Sequence, residues 1–256
     1  MIFSENKFFS CFYPNDSATH RLFCLPSAGG DANMFRDWFE YFPDTEVWGV
    51  TYPGRGVLSQ SEFSESFGQL TRALVSELDS YKDKPFLFFG HSFGALLSYA
   101  IALELAKDVN PLEGLLVCAR RAPQAKDRHG FSQKSDKEVL EKLMAMNSIP
   151  LAIAESDDLL EYYLNIIIKD LTLNETLIPV TSESLNLPLY VYSGRADEFV
   201  SIQEMGGWPE ITTGKTISRQ FEGDHFFIVN NKDEFLDQFS QDVEFLQGID
   251  EDSVAY

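Results

Sequence analysis

The sequence predicts an α/β fold, with a mostly parallel central sheet, helices on both faces and a helical insertion in the second half. Three observations predict it. Short apolar runs of strand length alternate with amphipathic runs of helix length, the pattern of repeated β-α-β units. One strand-to-helix junction, Gly90-His91-Ser92-Phe93-Gly94, places a serine between two glycines. The alternation then stops over about 124–180, where only helical patterns are found.

Taken in order, residues 21–25 form the first core strand, followed by the loop Pro26-Ser27-Ala28-Gly29-Gly30 and a helical pattern over 32–41. A strand at 46–51 and a helix at 65–80 come next. Phe86-Leu87-Phe88-Phe89 opens a strand over 86–90, and Ala95-Leu96-Leu97-Ser98-Tyr99-Ala100 lies in a helix over 94–107. A strand at 114–118 precedes the insertion, whose helices are predicted at 136–147 and 156–171. Leu159, Leu160, Tyr163, Leu164, Ile167 and Ile168 recur at three- and four-residue spacing, an apolar stripe on the second of these. Strands at 189–193 and 215–220 and helices at 201–206 and 233–246 complete the chain. Inserted at the carboxyl edge of a parallel sheet, the helical pair would sit where such folds bind ligands. It reads as a lid or acyl-chain wall, or as ordinary packing onto the core.

With 256 residues, 44% of them hydrophobic and no linker-like stretch, the chain is expected to form one domain over 1–256. The formal net charge of −20 repels phosphate backbones and anionic lipid surfaces, so neither nucleic acid nor membrane is expected as a partner. No apolar run is long enough to cross a bilayer, and the first residues lack an export signal. Cys11, Cys24 and Cys118 show no metal-like spacing. A cytoplasmic protein without a bound metal is expected.

A serine hydroxyl needs a base within hydrogen-bond reach and an acid to orient that base. At the junction around Ser92, flanking glycines let strand and helix pass closely while the hydroxyl is thrust clear, the arrangement of a nucleophile elbow. Of the four histidines, His91 adjoins the serine, His20 precedes the first core strand and His129 lies in a charged loop. His225, in Phe221-Glu222-Gly223-Asp224-His225-Phe226-Phe227, lies between a late strand and the last helix, where a base can overhang the sheet edge. Asp197 follows the strand Leu189-Tyr190-Val191-Tyr192-Ser193 through a short turn and is the candidate acid, with Glu198, Asp170 and Asp224 as competitors. The order Ser92, Asp197, His225 is that of α/β-hydrolases. The oxyanion donors are then the backbone N–H of Phe93 and that of Ala28.

These residues resemble the type II thioesterases, stand-alone α/β-hydrolases that accompany polyketide and nonribosomal-peptide synthetases. The resemblance runs through Leu22-Phe23-Cys24-Leu25-Pro26-Ser27-Ala28-Gly29-Gly30, Tyr52-Pro53-Gly54-Arg55-Gly56, the elbow, Arg120-Arg121-Ala122-Pro123, Gly194-Arg195-Ala196-Asp197 and Gly223-Asp224-His225-Phe226-Phe227. Ile168-Lys169-Asp170-Leu171-Thr172-Leu173 is similar to the end of that family's lid segment. Ser27 departs from the family, which often has a histidine or aromatic residue there. The resemblance implies hydrolysis of acyl or aminoacyl thioesters held on the phosphopantetheine arm of a carrier protein, an editing role, a monomer, and no cofactor beyond the arm that the substrate brings. Medium-chain fatty-acyl carrier-protein thioesterases share the motifs, and a catalytically silent carrier-binding adaptor is the alternative from another class.

Arg120, Arg121, Lys126, Arg128, Lys134 and Lys137 form a basic island in this acidic chain. It is expected either to dock an acidic carrier or the phosphate of its arm, or to be a solvated loop.

Overall fold

The computed structural model describes residues 8–125, 130–145, 149, 151–177 and 184–248. Seven strands form one sheet: β1 (Phe9–Cys11), β2 (His20–Leu25), β3 (Thr45–Val50), β4 (Phe86–His91), β5 (Leu112–Cys118), β6 (Leu189–Gly194) and β7 (Thr216–Phe221). Their order across the sheet is β1-β3-β2-β4-β5-β6-β7. Only β1 runs antiparallel to its neighbour.

The helices are α1 (Phe67–Leu78), α2 (Phe93–Leu105), α3 (Asp136–Ala145), α4 (Leu151–Ala154), α5 (Asp157–Glu175), α6 (Ile202–Met205), α7 (Phe227–Asn230) and α8 (Lys232–Leu246). The central strands are apolar at nearly every position because both faces are covered. Alternate residues go to opposite layers. Phe23, Phe86, Phe88, Leu115 and Val117 join Leu74, Leu97 and Ile101 of α1 and α2 in one core. Leu22, Leu87, Phe89, Leu116 and Tyr192 join Phe235, Leu236, Phe239 and Val243 of α8 in the other. Those four α8 positions recur at helical spacing, and Phe235 and Phe239 stack with ring centroids 5.1 Å apart.

Three expectations are corrected. Residues 32–41 are not one helix but two 3-10 turns, Ala32–Phe35 and Trp38–Tyr41. Asp31 caps the first by accepting from the Asn33 N–H, and the apolar residues that suggested a helix, Phe35 and Trp38, are buried against Phe89 instead. Strand β1 was not foreseen, since Phe9-Ser10-Cys11 is too short to show a period. Helix α5 runs four residues beyond the predicted end, to Glu175, and buries Leu173 and Asn174.

The insertion between β5 and β6 has its own small core of Phe131, Val139, Leu143, Ile149 and Ile167. Helix α5 rests on the loop after β2: a Cβ added to Gly29 would lie 2.4 Å from Ile167 Cγ1.

Candidate active site

Four strand ends supply the site, and sheet order brings them together. β2 and β4 are neighbours, so the loop after β2 and the elbow after β4 open on the same rim. β6 and β7 deliver Asp197 and His225 to that rim from the other side.

The elbow is built as its glycines require. A Cβ on Gly90 would come 2.4 Å from the Gly94 carbonyl oxygen, and one on Gly94 would come 2.1 Å from the Leu25 carbonyl oxygen. No larger residue fits either position. Ser92 takes φ 53°, a region non-glycine residues enter only under constraint, and its N–H donates to the Cys118 carbonyl at 2.8 Å.

The Ser92 hydroxyl lies 3.0 Å from His225 Nε2, and His225 Nδ1 lies 2.8 Å from Asp197 Oδ2. All three residues are buried. The other Asp197 oxygen accepts the N–H groups of Phe199 and Val200 at 2.8 and 2.9 Å. Burial raises the Asp197 pKa, but the His225 hydrogen bond and charge and these two amides outweigh it, so the carboxyl stays ionised below its ordinary range. An ionised carboxylate only accepts, so His225 carries its proton on Nδ1 and, in the neutral ring, turns a lone pair toward the serine. The rings of Phe199 and Phe226 meet the imidazole edge to face, with centroids 5.2 and 5.3 Å away.

His91 faces away from the serine and braces the base from behind. Its Nε2–H donates to the His225 carbonyl at 2.9 Å, while its buried Nδ1 has no hydrogen-bond partner. Burial, followed by the nearby His225 charge, pulls its pKa down to about 3, so the ring is neutral. In the sequence, adjacency to Ser92 set His91 aside as the base, and nothing there showed this contact.

The competing acids are engaged elsewhere. Asp224 accepts from the Phe226 N–H at 2.8 Å, and Glu198 is exposed. Asp170 is buried in an ion pair with Arg55. The backbone N–H groups of Ala28 and Phe93 have no other acceptor among the described residues. Ala28 and Ser92 line one small cavity of about 30 Å³ with Ser27, His225, Phe199 and Phe226. Its roof comes from the insertion, through Phe131, Leu143, Ile167 and Leu171. Both helices predicted for the insertion therefore contribute side chains to this cavity.

The basic island divides. Arg120 and Arg121 are buried, at 7% and 2% exposure, yet both line a cavity of about 390 Å³ with Gly130 and Asn174. Arg120 donates to Asn174 Oδ1 at 2.9 Å and its carbonyl accepts the Trp208 indole N–H at 2.6 Å, so it ties the end of β5 to the insertion. Lys134 is half-buried, and Lys126 and Arg128 lie outside the described residues. Among the described residues no group of carboxylate, cysteine and histidine side chains is arranged to hold a metal ion, and no helix is long and apolar enough to cross a membrane.

A serine, a histidine and an aspartate in this chain order, on the rim of this sheet, define a serine hydrolase of the α/β-hydrolase fold. Within that class the chain belongs to the thioesterase domain family, which it matches over residues 20–243. It is 28% identical over 236 residues to the gramicidin S biosynthesis protein GrsT of Aneurinibacillus migulanus, covering 91% of this chain and 92% of that one. It is also 28% identical over 240 residues to the human medium-chain S-acyl fatty acid synthase thioesterase, covering 91% and 89%. Among solved structures, the type II thioesterase BorB from the borrelidin biosynthetic cluster superposes with a TM-score of 0.81 at 27% identity, covering 93% of this chain and 97% of that one.

Proposed function

We propose that this serine thioesterase is a stand-alone editing enzyme that clears acyl or aminoacyl groups from the phosphopantetheine arm of synthetase carrier domains. The carrying observation is the unbroken hydrogen-bonded chain from Ser92 through His225 to Asp197, opening on a cavity that the insertion narrows to about 30 Å³. Relatives named for antibiotic biosynthesis support the pathway.

In this reading His225 takes the Ser92 proton as the oxygen attacks the thioester carbonyl. The Ala28 and Phe93 N–H groups hold the oxyanion. The tetrahedral intermediate collapses, the C–S bond breaks, and His225 returns the proton to the departing pantetheine sulfur. Water activated by the same ring then hydrolyses the acyl-Ser92 ester, releasing the acid and regenerating the hydroxyl. Asp197 stays ionised and stabilises the imidazolium. These steps use side chains, two backbone N–H groups and water, and the pantetheine arm comes with the substrate. We read the enzyme as a cytoplasmic monomer, with its three cysteines free.

Sequence identity is the same to the synthetase-associated relative and to the medium-chain fatty-acyl one, so it favours neither, and the small cavity is what supports the first. The cavity over Ser92 is small and lined mainly by apolar side chains, which supports short acyl groups as the substrate. Hydrolysis of acetyl-, aminoacyl- and decanoyl-carrier protein tests the choice: kcat/KM should be highest on the short groups, and a preference for decanoyl overturns it. Stoichiometric labelling of Ser92 by a fluorophosphonate, lost in His225→Ala, excludes the silent adaptor. For docking, the charge reversal Arg128→Glu with Lys134→Glu should raise KM for the carrier-bound thioester and leave a small free thioester unaffected. Equal kinetics on both substrates would reject that contact.

A further inference from the structure

The buried pair Arg55–Asp170 joins two sequence motifs that the reaction above does not use. Both side chains are about 4% exposed. Arg55 Nη2 donates to Asp170 Oδ1 at 2.6 Å and Nη1 donates to Oδ2, a two-pronged pair. Asp170 Oδ2 also accepts the Gly29 N–H at 2.8 Å. Arg55 Nη1 donates to the Gly30 carbonyl at 3.3 Å, and the Tyr52 hydroxyl donates to the Pro26 carbonyl at 2.9 Å. The loop that carries the Ala28 amide is therefore gripped at Pro26, Gly29 and Gly30 by groups outside it.

The grip at Gly29 falls where the loop is softest. Ser27 to Gly30 form a β-turn closed by the Gly30 N–H on the Ser27 carbonyl at 3.0 Å, and Gly29 has φ +81°, the value a type II turn needs at its third residue. Type I and type II turns differ by a flip of the central peptide, here Ala28–Gly29. Such a flip would replace the N–H facing Asp170 with the Ala28 carbonyl oxygen, which the carboxylate repels. Asp170 thus selects one turn; the Ser27–Ala28 peptide lies outside the flipping unit, and the Ala28 N–H is placed by the anchors on either side of it, at Pro26, Gly29 and Gly30.

We propose that Asp170 and Arg55 are positioning residues for the oxyanion loop, and that the hole is complete only while α5 is seated. Because Asp170 belongs to α5, the helix that roofs the cavity also sets the oxyanion donor. Closing over the acyl group and completing the catalytic geometry are then one event. This rests on the serine-hydrolase reading above, which Ser92→Ala tests by itself: turnover that survives that change defeats the reading.

The test compares wild type, Asp170→Asn, and the double variant Arg55→Met with Asp170→Leu, using a small free thioester. Removing one partner strands a buried charge, whereas replacing both with apolar residues is often tolerated, so the double variant keeps the fold while leaving the Gly29 N–H without its acceptor. Loss of an oxyanion donor typically costs 100- to 1,000-fold in kcat. A misplaced donor should cost about 30-fold or more here, with KM changed less than threefold. Affinity for a trifluoromethyl ketone, whose adduct places an oxyanion in the hole, should fall in parallel, while binding of a thioether ground-state analogue stays within threefold. A role in stability alone would lower the melting temperature and leave both the kcat/KM split and the ketone-to-thioether ratio unmoved. Wild-type kcat in a folded double variant overturns the proposal. Should neither variant fold, hydrogen exchange in wild type decides: a Gly29 amide exchanging as fast as that of Ala28 overturns it, and strong protection of Gly29 alone supports it.

Discussion

Asp197 shows how much one carboxylate can be asked to do. One oxygen holds His225 in the tautomer that leaves Nε2 free for Ser92, and the other closes the backbone turn at Phe199 and Val200. The substitution Asp197→Asn keeps the shape, but its single acceptor oxygen is claimed by those two amides, so an NH₂ group faces His225. The ring must then carry its proton on Nε2, where it cannot act as a base. Turnover should fall about 1,000- to 10,000-fold while fluorophosphonate labelling slows in proportion. A loss under tenfold would mean that another acid orients the ring. These three residues were legible in the sequence because each is a chemically distinctive type placed just after a predicted strand. The Arg55–Asp170 pair was not, since 115 residues separate its members and nothing in the two motifs that hold them shows that they meet. The burial of Arg120 and Arg121 was illegible for a related reason: a run of cations reads the same whether its side chains stand in solvent or pack into the fold.

At the scale of elements, the strands were legible because burial on both faces leaves an unbroken apolar run, and only the three-residue β1 escaped. Helical patterns located α2, α3, α5 and α8, but hydrophobicity alone could not tell a helix from the paired 3-10 turns at Ala32–Phe35 and Trp38–Tyr41, where Phe35 and Trp38 are buried just the same. Within the insertion, α3 and α5 each supply part of the cavity wall. Leu143 of α3 is buried, 5% exposed, and lines the cavity with Ser92. Leu143→Ala removes that wall, with a stability cost of about 2–5 kcal/mol that is best offset by assaying at low temperature. Room for added methylenes, each worth roughly 1–3 kcal/mol of discrimination, should raise the hexanoyl-to-acetyl ratio of kcat/KM about tenfold or more. An unchanged ratio would place the acyl chain elsewhere and leave α3 as packing.

Across the whole molecule, the same contact that steadies the catalytic base makes stability depend on pH. His91 is fully buried beside the elbow and its pKa falls from 6.5 to about 3, with burial the largest cause. The unfolded chain therefore binds a proton below pH 6.5 that the folded chain refuses until about pH 3. A group depressed in the folded state contributes fully above its unfolded pKa and loses that contribution as pH falls toward the folded value, so His91 weakens the fold across this window. Between pH 7 and pH 5 the loss amounts to about 2 kcal/mol, at 1.36 kcal/mol per pH unit once the unfolded histidine is mostly charged. The net charge of −20 moves the other way, because acid relieves self-repulsion, and the two trends overlap in any single unfolding curve. His91→Gln separates them, since it removes one titrating ring and leaves the surface charge intact. Urea unfolding at pH 7, 6 and 5 should show wild type losing about 2 kcal/mol more than the variant over that span. Parallel losses would mean that the buried imidazole accepts its proton without leaving the fold, and that the hydrogen bond to the His225 carbonyl does not depend on a neutral ring.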